Sequence, residues 1–125
     1  MTSLVDTSIL IDVLRGEPAA VTLLRTERGL GPLHASEVTR VEVLVGVRRG
    51  EERSTSDLLD ILDWHPVDRE VSERAGELGR RWLPSHRGID TADLVIAATA
   101  ELLGARVLTR NVKHFPMIDG LTAPY

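Results

Sequence analysis

The sequence predicts an α/β fold, a three-layer α/β/α domain around a mainly parallel sheet, with all 125 residues in one unit. Three observations predict it. Short apolar runs of strand length alternate with longer stretches whose apolar residues recur at helical spacing. Those helical stretches are long enough to act as crossovers between parallel strands. Residues 89–99, Ile-Asp-Thr-Ala-Asp-Leu-Val-Ile-Ala-Ala-Thr, are apolar almost all round, the pattern of a helix buried on every side. No internal repeat or low-complexity linker divides the chain, and its length suffices for a core without staples.

Taken in order, residues 2–5 read as a first strand ending in Asp6-Thr7-Ser8, and residues 9–14 as a helix stopped by Gly16. Pro18 opens a helix over 18–28, with Val21, Leu23 and Leu24 inward and Arg25, Glu27 and Arg28 toward solvent. Gly29 to Pro32 is a turn, and residues 33–35 are a short strand carrying His34, read as structural. A helix is expected over 36–50, capped by Ser36 or Thr39, with Val38, Val41, Leu44 and Val45 as its buried stripe. Residues 52–62 form another amphipathic helix, and 64–67 a short strand or edge. A longer helix runs from Asp68 to about Leu83, and a loop over 84–88 leads into the buried helix. That helix stops at Gly104; residues 106–109 are a buried strand, 110–115 a turn or short helix, and 121–123 a last strand.

Composition excludes several function classes. There is no cysteine, so disulfides and thiolate metal sites are ruled out and a cytoplasmic location is expected. No stretch reaches membrane-spanning length, and no basic region followed by an apolar run marks a secretory signal. The net charge of −4 gives no generally nucleic-acid-binding surface, so any such binding needs a local basic patch.

The chemistry-bearing residues are acidic. Asp90 and Asp93 stand on one helix face about a turn apart. A carboxylate inside an apolar helix is costly unless something positive compensates it. Asp90 is placed to cap the helix, with Asp93 as an imperfect capping box, and the residues alone leave capping and ligation open for Asp90. Asp6 falls at the carboxyl end of the first strand, where ligands bind in open α/β sheets, although a turn or N-cap role suits that position as well. Glu42 borders the core side of its helix, where a salt bridge is the alternative. Asn111 follows the last buried strand. On the predicted topology these side chains converge on one crevice. Carboxylates gathered there repel unless protonated or met by a cation. An oxygen-only ligand set suits Mg²⁺ or Mn²⁺ rather than Zn²⁺, and a hard cation in an open acidic crevice suits phosphoryl chemistry.

Four blocks, in order and nearly spanning the chain, carry a resemblance. They are Val5-Asp6-Thr7-Ser8, Thr39-Arg40-Val41-Glu42-Val43-Leu44-Val45-Gly46, Asp90-Thr91-Ala92-Asp93-Leu94-Val95-Ile96-Ala97-Ala98-Thr99-Ala100, and Leu108-Thr109-Arg110-Asn111-Val112-Lys113-His114-Phe115. With these the chain resembles PIN-domain ribonucleases of the VapC toxin type. The resemblance implies that Asp6, Glu42 and Asp93 are acidic metal-binding and catalytic positions, and that Asp90 is a further one found in part of the family. Asn111 stands where many PIN domains carry another Asp, which leaves one- and two-metal chemistry both open. Ser8 matches a small hydroxyl residue that supports the site, and Thr109 is a second such residue. Mg²⁺- or Mn²⁺-dependent cleavage of RNA, often tRNA or rRNA, is implied, with a homodimer and a VapB-like antitoxin whose C-terminal segment blocks the groove. The cations available to gather RNA around an acidic groove are Arg48, Arg49, Arg53, Arg87, Arg110 and Lys113.

Two rivals stand beside this reading. A phosphotransfer receiver or phosphatase-like domain also binds Mg²⁺ at strand ends, but it requires paired acidic residues after the first strand, where this chain has Thr7 and Ser8. A non-catalytic binding module would spend the carboxylates on caps and salt bridges, so that Asp93→Asn and Mg²⁺ would change nothing.

Overall fold

A computed structural model describes residues 2–125. Strand β1 (Ser3–Val5) runs through the middle of the core and passes straight into helix α1 (Thr7–Leu14). α1 is stopped where Gly16 adopts φ +77°, a conformation that a side chain would strain. Pro18 starts α2 (Pro18–Leu30), where its missing N–H removes no helical bond. β2 (Leu33–Ser36) leads into α3 (Glu37–Val45), and Ser36 Oγ caps that helix by accepting from Val38 N at 3.2 Å. There follow α4 (Glu52–Leu59), β3 (Asp63–His65) and α5 (Arg69–Trp82), the last capped by Asp68 through Val71 N. α6 (Thr91–Leu103) ends at Gly104 in the left-handed region, β4 (Arg106–Leu108) enters the sheet, and a 3₁₀ turn covers Val112–His114.

The four strands are all parallel, in the order β3-β2-β1-β4. Leu4 is paired with both His34 and Val107, and Val5 with Leu108. The chain steps outward from β1 through β2 to β3 and then crosses back to the far side of β1. Right-handed crossovers then require the first four helices on one face of the sheet and the last two on the other. The pleat follows this division. Val5, Leu33, Ala35 and Leu108 pack with Ile9, Leu10, Leu24, Val43 and Leu58. Leu4 and Val107, pointing the other way, pack with Val71, Ala75, Leu78 and the apolar residues of α6. α6 meets α5, α3, β2 and β4, which accounts for the unbroken buried run from Asp93 to Ala100. Reversal of strand order beside β1 opens a crevice between the carboxyl ends of β1 and β4, the place where ligands sit in sheets of this type.

The elements differ from the sequence expectation in identifiable ways. The helix expected over 36–50 stops at Val45, with Gly46 as its C-cap, and 52–62 is helical only to Leu59. The stripe expected to be buried on α3 is largely outside: Val41, Leu44 and Val45 are 59%, 52% and 82% exposed, while Thr39 and Val43 face the core. Thr7 hydrogen-bonds both Thr39 and Glu42, and that polar contact, absent from any apolar periodicity, joins the core packing of Val43 on the inward side of the helix. Glu27 is buried rather than solvated, paired with Arg106 and accepting from Ser3 Oγ. The edge strand occupies 63–65 instead of 64–67, and the segment over 121–123 is irregular.

Candidate active site

The crevice beyond β1 and β4 measures about 510 Å³, and its walls include Asp6, Asp12, Glu42, Asp90, Asp93 and Asn111. A larger groove of about 840 Å³ runs between α5, α6 and the 117–124 segment. Its acidic residues are Glu101, already paired with Arg74, and Asp119, which shares the groove with Arg74, Arg81 and Arg106, whereas the smaller crevice gathers five carboxylates around one guanidinium.

Each carboxylate is delivered by an element end. Asp6 directly follows β1 and precedes the first turn of α1. Asp6 does stand at the N-cap position, its carbonyl accepting from Ile9 N at 3.1 Å, but its side chain makes no capping hydrogen bond. Instead Asp6, only 3% exposed, accepts at Oδ2 from Ser8 Oγ (2.9 Å) and Thr109 Oγ1 (2.7 Å). The two hydroxyls are held in turn by the loop leaving β4, where Arg110 N donates to Ser8 Oγ (3.2 Å) and Asn111 N to Thr109 Oγ1 (2.9 Å). Thr109 is fully buried, and its proton goes to Asp6. Glu42 projects from the middle of α3 and accepts at Oε1 from Thr7 Oγ1 at 2.6 Å; it makes no salt bridge.

Asp90 and Asp93 form a capping box. Asp90 Oδ1 accepts from Asp93 N (2.9 Å), and Asp93 Oδ2 accepts from Asp90 N (3.0 Å). Capping and a place in the crevice thus coexist. Asp93 is 7% exposed, and His114 Nδ1 lies 3.3 Å from the same Oδ2. The Asp93 carboxyl is pushed up to about 6, first by burial and then by the neighbouring Asp90 carboxyl, against the opposing pull of the backbone hydrogen bond at Asp90 and the charge of His114.

A common pattern emerges. Asp6, Glu42, Asp90 and Asp93 each tie one oxygen into the protein, and among the described residues the second oxygen of each carries no hydrogen bond. Four anchored carboxylates with four free oxygens on one crevice match the donor chemistry of a hard divalent cation. Among the described residues, no three His, Asp or Glu groups stand preassembled at cage distance. Like charges gathered without a counterion repel one another.

Of the candidate cations only Arg110 lines the crevice. Arg48, Arg49 and Arg53 lie beyond the end of α3, Arg87 in the loop before Asp90, and Lys113 in the 3₁₀ turn, all exposed. Sequence reasoning gave no role to Thr7, Asp12 and His114, which also line the crevice. For Thr7 a usable signal existed: a hydroxyl directly after a strand-end Asp. For Asp12 and His114 only the fold supplies the proximity.

Among the described residues no helix is long and apolar enough to cross a membrane. The PIN domain family model matches residues 3–121. The chain is 45% identical over 123 residues to Ribonuclease VapC19 of Mycobacterium tuberculosis, covering 98% of each, and 39% identical over 122 residues to Ribonuclease VapC10 of the same organism, covering 98% of this chain and 92% of the relative. Among solved structures, a toxin-antitoxin complex from Klebsiella pneumoniae superposes with a TM-score of 0.82 at 30% identity over 98% of both chains. A parallel β3-β2-β1-β4 sheet with acidic residues gathered at its switch point, matched along nearly its whole length by these relatives, makes this chain a PIN domain of the VapC ribonuclease family.

Proposed function

We propose that this chain is a Mg²⁺- or Mn²⁺-dependent endoribonuclease and the toxin of a toxin–antitoxin pair, cutting phosphodiester bonds of structured RNA such as tRNA or rRNA. The observation that carries this reading is the set of four carboxylates, each held by one oxygen and free at the other, around one crevice. Asp6, Glu42 and Asp93 are the principal metal-binding and catalytic residues, with Asp90 completing the ligand set. When bound, the cation supplies Lewis-acid polarisation of the phosphate and acidification of the attacking water. Ser8 and Thr109 fix the Asp6 carboxylate so that its free oxygen needs no reorganisation, and Thr7 does the same for Glu42. Asn111, uncharged, stands ready to hydrogen-bond a phosphate oxygen without adding repulsion. Arg110 brings positive charge to an otherwise anionic crevice.

The antitoxin is a VapB-like protein, which the naming of one structural relative as a toxin-antitoxin complex and of another as VapBC-1 supports. A homodimer is supported by Val41, Leu44 and Val45, which share one exposed apolar face of α3. The test is to express the chain in cells and map new RNA 5′ ends. The wild type produces ends at a restricted set of positions, and Asp6→Asn, Glu42→Gln and Asp93→Asn each reduce them by at least about a hundredfold, the scale of lost transition-state electrostatics. Equal ends from wild type and Asp93→Asn would refute the proposal.

A further inference from the structure

The crevice sets five carboxylates, those of Asp6, Asp12, Glu42, Asp90 and Asp93, against a single guanidinium, Arg110. Apart from a bound divalent cation and His114, which faces Asp93, Arg110 is the group on this surface that can attract an anionic polymer, so its placement matters as well as its charge. Its placement is controlled from three directions. The backbone N donates to Ser8 Oγ at 3.2 Å, which fixes the loop. Nη1 lies 3.5 Å from Oδ2 of Asp12 on α1. The guanidinium carbon stands 4.8 Å from the ring centroid of Tyr125. Tyr125 itself donates to the same Asp12 Oδ2 at 2.7 Å.

The geometry has a directional consequence. Oδ2 accepts its short hydrogen bond from the tyrosine hydroxyl and only a long contact from the arginine. Asp12 therefore orients the guanidinium without sequestering it, and the ring covers one face of it. Nε and Nη2 of Arg110 carry no protein partner among the described residues, and its side chain is 46% exposed, so a two-pronged contact to a phosphate is open. Burial, and then the bond to Asp12, push the Tyr125 hydroxyl well above its ordinary value, so it remains a donor at any working pH.

We propose that Asp12 and Tyr125 are positioning residues that hold Arg110 at the crevice rim as a clamp for an RNA phosphate beside the one cleaved. This rests on the ribonuclease reading above and assigns a role that neither acidic cluster nor family motif contains.

The experiment uses the full chain and a synthetic RNA carrying a cleavage site mapped in cells, with KM and kcat measured in Mg²⁺ and binding measured against salt. Arg110→Ala is expected to raise KM at least about tenfold and to lower the slope of log Kd against log salt by about one. Tyr125→Phe and Asp12→Asn each raise KM roughly threefold to tenfold with kcat changed less than about twofold, and neither adds to the effect of Arg110→Ala. The Asp12→Asn arm is the sharpest. It removes a negative charge facing RNA, so a purely electrostatic role would lower KM, whereas positioning raises it. Wild-type KM in Tyr125→Phe, a lowered KM in Asp12→Asn, or additivity with Arg110→Ala overturns the positioning proposal and leaves the ribonuclease reading intact. A wild-type chain that neither binds nor cuts RNA overturns both.

Discussion

Asp93 shows how a single side chain couples stability to function. Its carboxyl is raised to about 6 mainly by burial, so the native state holds a proton that the unfolded chain releases at lower pH. The stabilisation tied to that proton is complete below the ordinary carboxylate value and is lost as pH rises through about 6. Above that pH the metal-free protein carries a buried, poorly compensated charge. Asp93→Asn keeps the hydrogen-bonding shape and removes the charge. In chelator at pH 7.5 the variant should melt higher than wild type, with a gain of about 1–2 kcal/mol after allowance for solvent screening, and at pH 4 the two should converge. Thermal unfolding across that range checks it; a variant less stable than wild type at pH 7.5 would contradict the assignment. The same substitution should remove RNA cleavage, so stability and activity move in opposite directions. Asp93 was legible in the sequence because a carboxylate within an apolar helix is costly unless compensated, even where it also completes a capping box. Glu27 was not: its partners Arg106 and Ser3 lie on two separated strands, and no local pattern distinguishes it from the solvated charges beside it.

At the scale of elements, α3 is where pattern and structure part. Apolar residues fall on two sides of this short helix, and periodicity favours the 41, 44 and 45 side. The structure turns the 39 and 43 side inward, where Val43 packs in the core and the Thr7 hydroxyl meets Thr39 and donates to Glu42. The rotation that brings Glu42 to the crevice leaves Val41, Leu44 and Val45 uncovered. An apolar residue so exposed contributes little to the monomer, and Val45→Glu should shift its stability by no more than about 0.5 kcal/mol. The same change should convert the proposed dimer into a monomer in sedimentation velocity, because it places a charge on the exposed apolar face proposed to be covered. Unchanged sedimentation would remove α3 from the interface. By contrast the extent and burial of α6 were readable almost in full from its all-apolar composition and its Gly104 stop, while Asp90 offered two readings, cap and ligand, of which the structure shows the cap.

For the whole molecule, the decisive feature is topological. Strands β1 and β4 are neighbours in the sheet although Asp6 and Thr109 are separated by nearly the whole chain, and their carboxyl ends meet at the reversal of strand order. The alternation of strand and helix made a parallel sheet foreseeable, and with it the convergence of Asp6, Glu42, Asp93 and Asn111. Ser8 and Thr109 were expected as supporting hydroxyls from the family resemblance; what the alternation could not supply was side-chain rotation within each element, which is why their hydrogen bonds to Asp6, the bond from Thr7 to Glu42, and the approach of Asp12 and His114 come from the structure. The crevice that results is anionic within an already acidic chain of net charge −4. Such a site is held open by its own repulsion and should tighten when a divalent cation enters it.

That expectation gives the most direct test, the thermal unfolding of metal-free protein titrated with Mg²⁺ at pH 7.5. Binding to the folded state alone stabilises by about 1.4 kcal/mol at ten times the dissociation constant, a rise of a few degrees in Tm. The wild type should show that rise, and a chain carrying Asp6→Asn, Glu42→Gln and Asp93→Asn together should not. A wild-type Tm indifferent to Mg²⁺ and Mn²⁺, or an equal rise in the triple variant, would contradict the account.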